Sequence, residues 1–136
     1  MLNFETKIVS KNDPIFNDLF NQNVYSMNGI FGMIWYHSKD LISEKAYLSI
    51  ARNSNKIIGV SFVSPKDWYN WDEFFDSIEP DNGLMGVYVK PNFRNKGIAT
   101  SLTKELVSLY GRKPYIVRQA IPAFRWCANK EIANHL

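Results

Sequence analysis

Cysteine occurs once in this 136-residue chain, as Cys127, and histidine twice. A single thiol excludes an intrachain disulfide and suits a reducing compartment. With so few soft ligands, no zinc-type spacing exists, and no metal is expected. No apolar run approaches the roughly 20 residues of a membrane span, so no membrane partner is expected. The opening "MLNFETKIVSKND" has neither the basic nor the apolar segment of a secretion signal. A cytoplasmic protein is the simplest expectation. Neither a dinucleotide "GxGxxG" nor a Walker "GK[ST]" is present. Sixteen basic residues against thirteen acidic give a formal charge of +3. That falls short of the dense basic patches of a dedicated nucleic-acid binder, so nucleic acid is not the expected partner. It does suit a small anionic ligand.

What is present amounts to one domain, residues 1–136, long enough to bury a core without disulfides. Residues 2 to 10 read as a strand. Asp13 before Pro14 forms a helix start, with Ile15, Leu19, Phe16 and Phe20 as its apolar positions. Residues 27 to 36 fit a short helix or a loop, and 39 to 46 read as helical. "AYLSIAR" and "KIIGVSFVS" flank Asn53, Ser54 and Asn55 as a hairpin. An aromatic and acidic connection, 65 to 83, leads to a strand "LMGVYVK". Ile98, Leu102, Leu106 and Leu109 or Tyr110 mark a helix, closed by Gly111 at its C′ position and by Pro114. "YIVRQAI" reads as a further strand, and Pro122 opens a helical segment to the C-terminus.

The passage "VYVKPNFRNKGIATSLTKEL", residues 87 to 106, carries the most chemistry. Pro91 stops the strand because it cannot donate to a ladder. Gly97 and Ala99 let another group approach the backbone at the first turn of a helix. The first helical N–H groups lack intrahelical partners, and the helix dipole is positive there. Arg94 and Lys96 add charge, and Thr100 a hydroxyl. Such a place suits a phosphate, and best a pyrophosphate that several N–H groups share. The same features also fit an ordinary strand-to-helix turn that binds nothing.

This passage resembles the acyl-CoA-binding motif of the GNAT N-acetyltransferases. That motif is an apolar strand, a proline, then Arg/Gln-x-x-Gly-x-Gly/Ala opening a helix. Here it runs Arg94, Asn95, Lys96, Gly97, Ile98, Ala99. The hairpin "YLSIARNSNKIIGVSFVS" is similar to the family's second and third strands. The resemblance implies an α/β (α+β) fold, a mixed central sheet flanked by helices. The sheet would splay between its fourth and fifth strands, residues 84 to 90 and 115 to 119. It further implies acetyl-CoA as co-substrate. Pantetheine would pair with the fourth strand at Val87 and Val89, and the pyrophosphate would sit on N–H groups from Asn95 through Thr100. The implied reaction moves an acetyl group directly to a primary amine: a small amine, a polyamine or a protein amine.

Catalytic groups are less well marked. The family's last helix carries Asn-x-x-Ala-x-x-x-Tyr, whose tyrosine meets the leaving thiolate. In "AIPAFRWCANKEIANHL", Ala120 stands where the Asn would be, and Trp126 or Cys127 where the Tyr would be. Cys127, Tyr115 and Tyr110 are candidate proton donors, although a lone helical cysteine also serves as a small core residue. Glu79 or Asp81 is a candidate base acting through water, but Pro80-Asp81-Asn82-Gly83 is also simply a good turn. His37 fits a structural or exposed role. Trp68, Tyr69, Trp71, Phe74 and Phe75 fit core packing or an acceptor surface, which the acids among them would make favourable to a cation. The departures from the pattern keep a second reading open: a non-catalytic protein of the same fold that binds CoA or a protein partner. Family members add two strands after the last helix. Their lack here suggests an open sheet edge or a homodimer that covers it.

Overall fold

The structure, a computed structural model, describes residues 2–10, 13–22, 45–65, 83–116 and 134–135. Within them the order is β1 (Leu2–Ser10), α1 (Ile15–Asn21), β2 (Lys45–Asn53), β3 (Lys56–Pro65), β4 (Gly83–Val89), a 3-10 turn (Pro91–Phe93), α2 (Ile98–Tyr110), β5 (Tyr115–Ile116) and β6 (Asn134–His135). The strands form one sheet in the order β1-β2-β3-β4-β5-β6. The first four are mutually antiparallel, whereas β4–β5 and β5–β6 are parallel. The sheet is therefore mixed, as expected.

Local chemistry explains the boundaries. The Asp13 carboxylate accepts the Ile15 N–H at 2.9 Å, which caps α1 behind Pro14. The α1 residues Ile15, Phe16 and Leu19 are buried. At the far end of that helix, the Gln22 side-chain oxygen accepts the Ile57 N–H of β3 at 2.7 Å. The β2–β3 hairpin turns through Ser54 and Asn55, with Ser54 in the left-handed region at φ 58°. Helix α2 ends where Gly111, at φ 85°, donates its N–H to the Val107 carbonyl at 2.9 Å. Of the two candidates for its last apolar position, Tyr110 is the packed one. Its ring meets Tyr47 edge-on at 5.1 Å, and Leu109 is exposed.

Two expectations are corrected. Lys45 and Ala46 are not helical; they extend β2, opposite Ser10 and Val9. The C-terminal segment is not helical throughout, because Asn134–His135 form a strand beside β5. The remaining expectations for 23–44, 66–82 and 117–133 fall outside the described residues.

Helix α2 lies across β1 to β4 on one face of the sheet. Gly59 shows how closely it packs: a Cβ there would stand 3.1 Å from Leu102 Cδ1. Ala51, Ile58, Val89, Ile98 and Leu102 form a buried cluster beneath the first half of α2, joined by Phe93 and Ala99. The cluster ties the N-terminal turn of α2 directly to the end of β4.

Candidate active site

The antiparallel register decides which way the β4 backbone points. Lys90 N–H donates to Ile58 at 2.8 Å, one step beyond the Gly59–Val89 pair. Residues in antiparallel strands alternate between bonded and non-bonded pairs. Tyr88 and Gly86 are thus bonded to β3, while Val87 and Val89 turn their N–H and C=O groups toward the β5 side. These are the two residues expected to meet pantetheine. On that side the pairing with β5 is at Leu84 and Tyr115.

One of the outward groups is already engaged. Arg94 Nε donates to the Val89 carbonyl at 2.7 Å, and its guanidinium carbon lies 5.5 Å from the centre of the Tyr88 ring. The chain reaches this position through the 3-10 turn, in which Phe93 N–H bonds Lys90 and Arg94 N–H bonds Pro91. Arg94 was expected to add charge beside an anion. The structure also gives it a mechanical part, fastening the turn to the end of β4.

Next comes a segment of unusual backbone. Asn95 adopts φ 63° and Gly97 φ 80°, both left-handed. Asparagine and glycine tolerate this region best. Gly97 is the N-cap of α2, and beyond its own turn no atom of the described residues lies within 4 Å of where its Cβ would stand. Its importance is therefore conformational on the protein side, and the space before it is open. The first intrahelical bond runs from Ser101 N–H to Gly97 at 3.1 Å. The N–H groups of Ile98, Ala99 and Thr100 precede it and have no acceptor within the helix.

The side chains divide between packing and display. Ile98 is buried and Ala99 packs against the cluster, so the small size of Ala99 serves the core as well as the approach of a ligand. Thr103, fully buried, donates to the Ala99 carbonyl at 2.8 Å and braces the first turn. Thr100 is half-buried. Lys96 is exposed, its ammonium 5.6 Å from the centre of the Phe93 ring. Arg94, Asn95, Lys96, Gly97, Ile98, Ala99 and Thr100 thus form one continuous rim beyond the end of β4. Cys127 and Glu79 lie outside the described residues. The backbone of Tyr115 is in β5, beside Leu84.

A polar row crosses the α2 face that the sequence did not reveal. Thr6, Ser49, Ser61 and Val87 are successive partners across β1, β2, β3 and β4. Thr6 Oγ1 donates to Glu105 of α2 at 3.2 Å and lies 3.0 Å from Ser49 Oγ. With the single Thr6 hydrogen committed, Ser49 is the donor in that second bond. Ser61 Oγ is buried and has no partner among the described residues. Among the described residues no group of three or more metal-ligating side chains occurs. No helix in them is long and apolar enough to cross a membrane.

The sequence and the fold have counterparts among known proteins. The sequence matches the acetyltransferase (GNAT) family over residues 15–119. The chain belongs to the GNAT acetyltransferases. Acyl-CoA-dependent N-acyl transfer is the activity of that family. No curated protein gave a significant match. Among solved structures, a putative acetyltransferase from Pyrococcus horikoshii is similar, with TM-score 0.57 and 17% identity, covering 93% of this chain and 88% of that one. A possible acetyltransferase from Clostridium difficile 630 gives TM-score 0.54 and 15% identity, covering 96% and 91%. At these identities the two structures establish the GNAT fold.

Proposed function

We propose that this chain, as a single domain, is an N-acetyltransferase that moves an acetyl group from acetyl-CoA to a primary amine. The observation that carries the reading is the junction of β4 and α2. Outward-facing backbone at Val87 and Val89 leads directly to three N–H groups without helical acceptors, at Ile98, Ala99 and Thr100. A thioester with an amide-rich arm and a pyrophosphate has the matching sequence of needs. The donor set fits: neutral N–H groups and Lys96 for the phosphates, strand backbone for the arm, and no side chain at Gly97 to fill the space.

Bound acetyl-CoA supplies an activated acyl group as a thioester. The chain's own part is to align it and manage protons. Arg94 and the 3-10 turn hold the phosphate rim at a fixed distance from β4. The Val87 N–H, turned away from β3, is placed to stabilise negative charge developing on a carbonyl oxygen. An alkylammonium acceptor has a pKa of about 10.4, so a base must take a proton before attack. Glu79 acting through water is our candidate for that step. Cys127 or Tyr115 is our candidate for protonating the leaving thiolate. The acceptor class is a small amine, polyamine or protein amine, in a cytoplasmic setting.

The test is amine-dependent release of free CoA thiol by the purified chain, with Gly97→Arg as control. The reading expects release above the spontaneous rate for at least one amine class, abolished by Gly97→Arg. Acetyl-CoA binding without release for any amine class would favour a non-catalytic, CoA-binding protein. Release that survives Gly97→Arg would remove the cofactor assignment.

A further inference from the structure

Strand β1 ends the sheet, and among the described residues nothing pairs with its outer edge. It is nine residues long and carries Leu2, Phe4 and Ile8 at 44%, 39% and 49% exposure. All three share the α2 face with Thr6, because side chains alternate along a strand. Leu109, 39% exposed, stands one turn beyond Glu105 on the side of α2 that reaches Thr6. Long apolar edges are normally blunted by charge, proline or a covering segment. On the other face Glu5 and Lys7 alternate with these residues, and Glu5 pairs with Lys7 at 3.0 Å and with Arg52 at 3.2 Å.

We propose that this edge is an interface between two copies of the chain, with β1 paired antiparallel to β1 about a two-fold axis at Thr6. The sequence of β1 is self-complementary in that register. Phe4 falls opposite Ile8 of the second copy, Leu2 opposite Ser10, and Glu5 opposite Lys7. All nine residues are paired. Moving the axis by one residue sets Glu5 against Glu5 or Lys7 against Lys7, so cross-strand charge selects the Thr6 register. The apolar side chains of Phe4, Ile8 and Leu109 from both copies then line one face of the junction. Glu105 opposes the pairing, because each Thr6 brings its own Glu105 carboxylate toward the axis. Glu105→Gln keeps an acceptor for Thr6 and strengthens the dimer.

The test is sedimentation of the full chain over a concentration series. Wild type forms a reversible dimer. Glu5→Lys and Lys7→Glu each weaken it by at least about tenfold, since either change opposes like charges at two places across the axis. An equimolar mixture of the two variants regains association, because two lysines on one strand then face two glutamates on the other. Thermal melts report whether each variant is folded; if Glu5→Lys is lost through its contact with Arg52, Lys7→Glu and Glu105→Gln decide. A wild type that stays monomeric throughout overturns the proposal. So does a dimer indifferent to these charges, or a mixture no stronger than either variant.

Discussion

Arg94 Nε and the carbonyl of Val89, 2.7 Å apart, join the start of the proposed phosphate rim to the end of the strand that precedes it. The bond has two consequences. It removes the Val89 carbonyl from the groups open to a ligand, and it fixes the spacing between the β4 edge and the first turn of α2. Arg94→Ala loses a charge-assisted bond and this positioning together, and acetyl-CoA binding is expected to weaken by about 10- to 100-fold. Arg94→Lys keeps the charge but loses the Nε donor held at Val89 and the guanidinium over the Tyr88 ring, and recovers only part of the loss. Titration of acetyl-CoA into both variants checks this; equal affinity for Arg94→Ala and wild type would remove the positioning role.

Gly97 separates conformation from space. Beyond its own turn no atom of the described residues lies within 4 Å of its missing Cβ, so the cost of Gly97→Ala to the free protein is that of the left-handed φ of 80°. The expected destabilisation is about 1–2 kcal/mol. Chemical denaturation measures it, and a loss near zero would mean that this turn relaxes without difficulty.

Ser61 and Ser49 lie side by side in the register but differ in bonding. Ser61 Oγ is buried without a partner among the described residues, so Ser61→Ala is expected to leave stability unchanged or raise it by up to about 1 kcal/mol. Ser49 donates to Thr6, and Ser49→Ala is expected to cost about 1 kcal/mol. Denaturation midpoints for the pair decide, and the same cost for both changes would contradict the assignment.

Glu5 supplies a pH dependence. Its hydrogen bond to Lys7, followed by the Lys7 and Arg52 charges, outweighs partial burial and holds its carboxyl below the ordinary 4.5. A lowered folded-state value means the group binds fewer protons folded than unfolded. Its contribution is therefore present above about pH 4.5 and is lost as pH falls through the lowered value. The exposed position keeps the effect small. Glu5→Gln should flatten the stability profile below about pH 4.5, and an unchanged profile there would contradict it.

The elements with a strong period were legible in the sequence. Alternation gave away β1, β2, β3 and β4, and the three- and four-residue spacing of Ile98, Leu102 and Leu106 gave away α2. Lys45 was misread, and Ala46 fitted both a helix and a strand, because their place is decided by pairing with β1, not by their own pattern. Strand β6 has two residues, too few for any period. Around the proposed site, Gly97 and the start of α2 were legible as local structure, and the outward turn of the Val87 and Val89 backbone follows from the register. The bond from Arg94 to Val89 was not, since it depends on how the 3-10 turn folds back. The hydroxyl row was hidden for a similar reason: Thr6, Ser49 and Ser61 are neighbours only through the register.

The central claim is that acetyl-CoA binds along Val87 and Val89 with its pyrophosphate at the first turn of α2. Calorimetric titration of wild type and Gly97→Arg with acetyl-CoA tests it most directly. The account predicts saturable binding at one site per chain in wild type. It predicts that Gly97→Arg, folded by thermal melt, binds none. Absence of binding to wild type, or equal binding by both proteins, would contradict it.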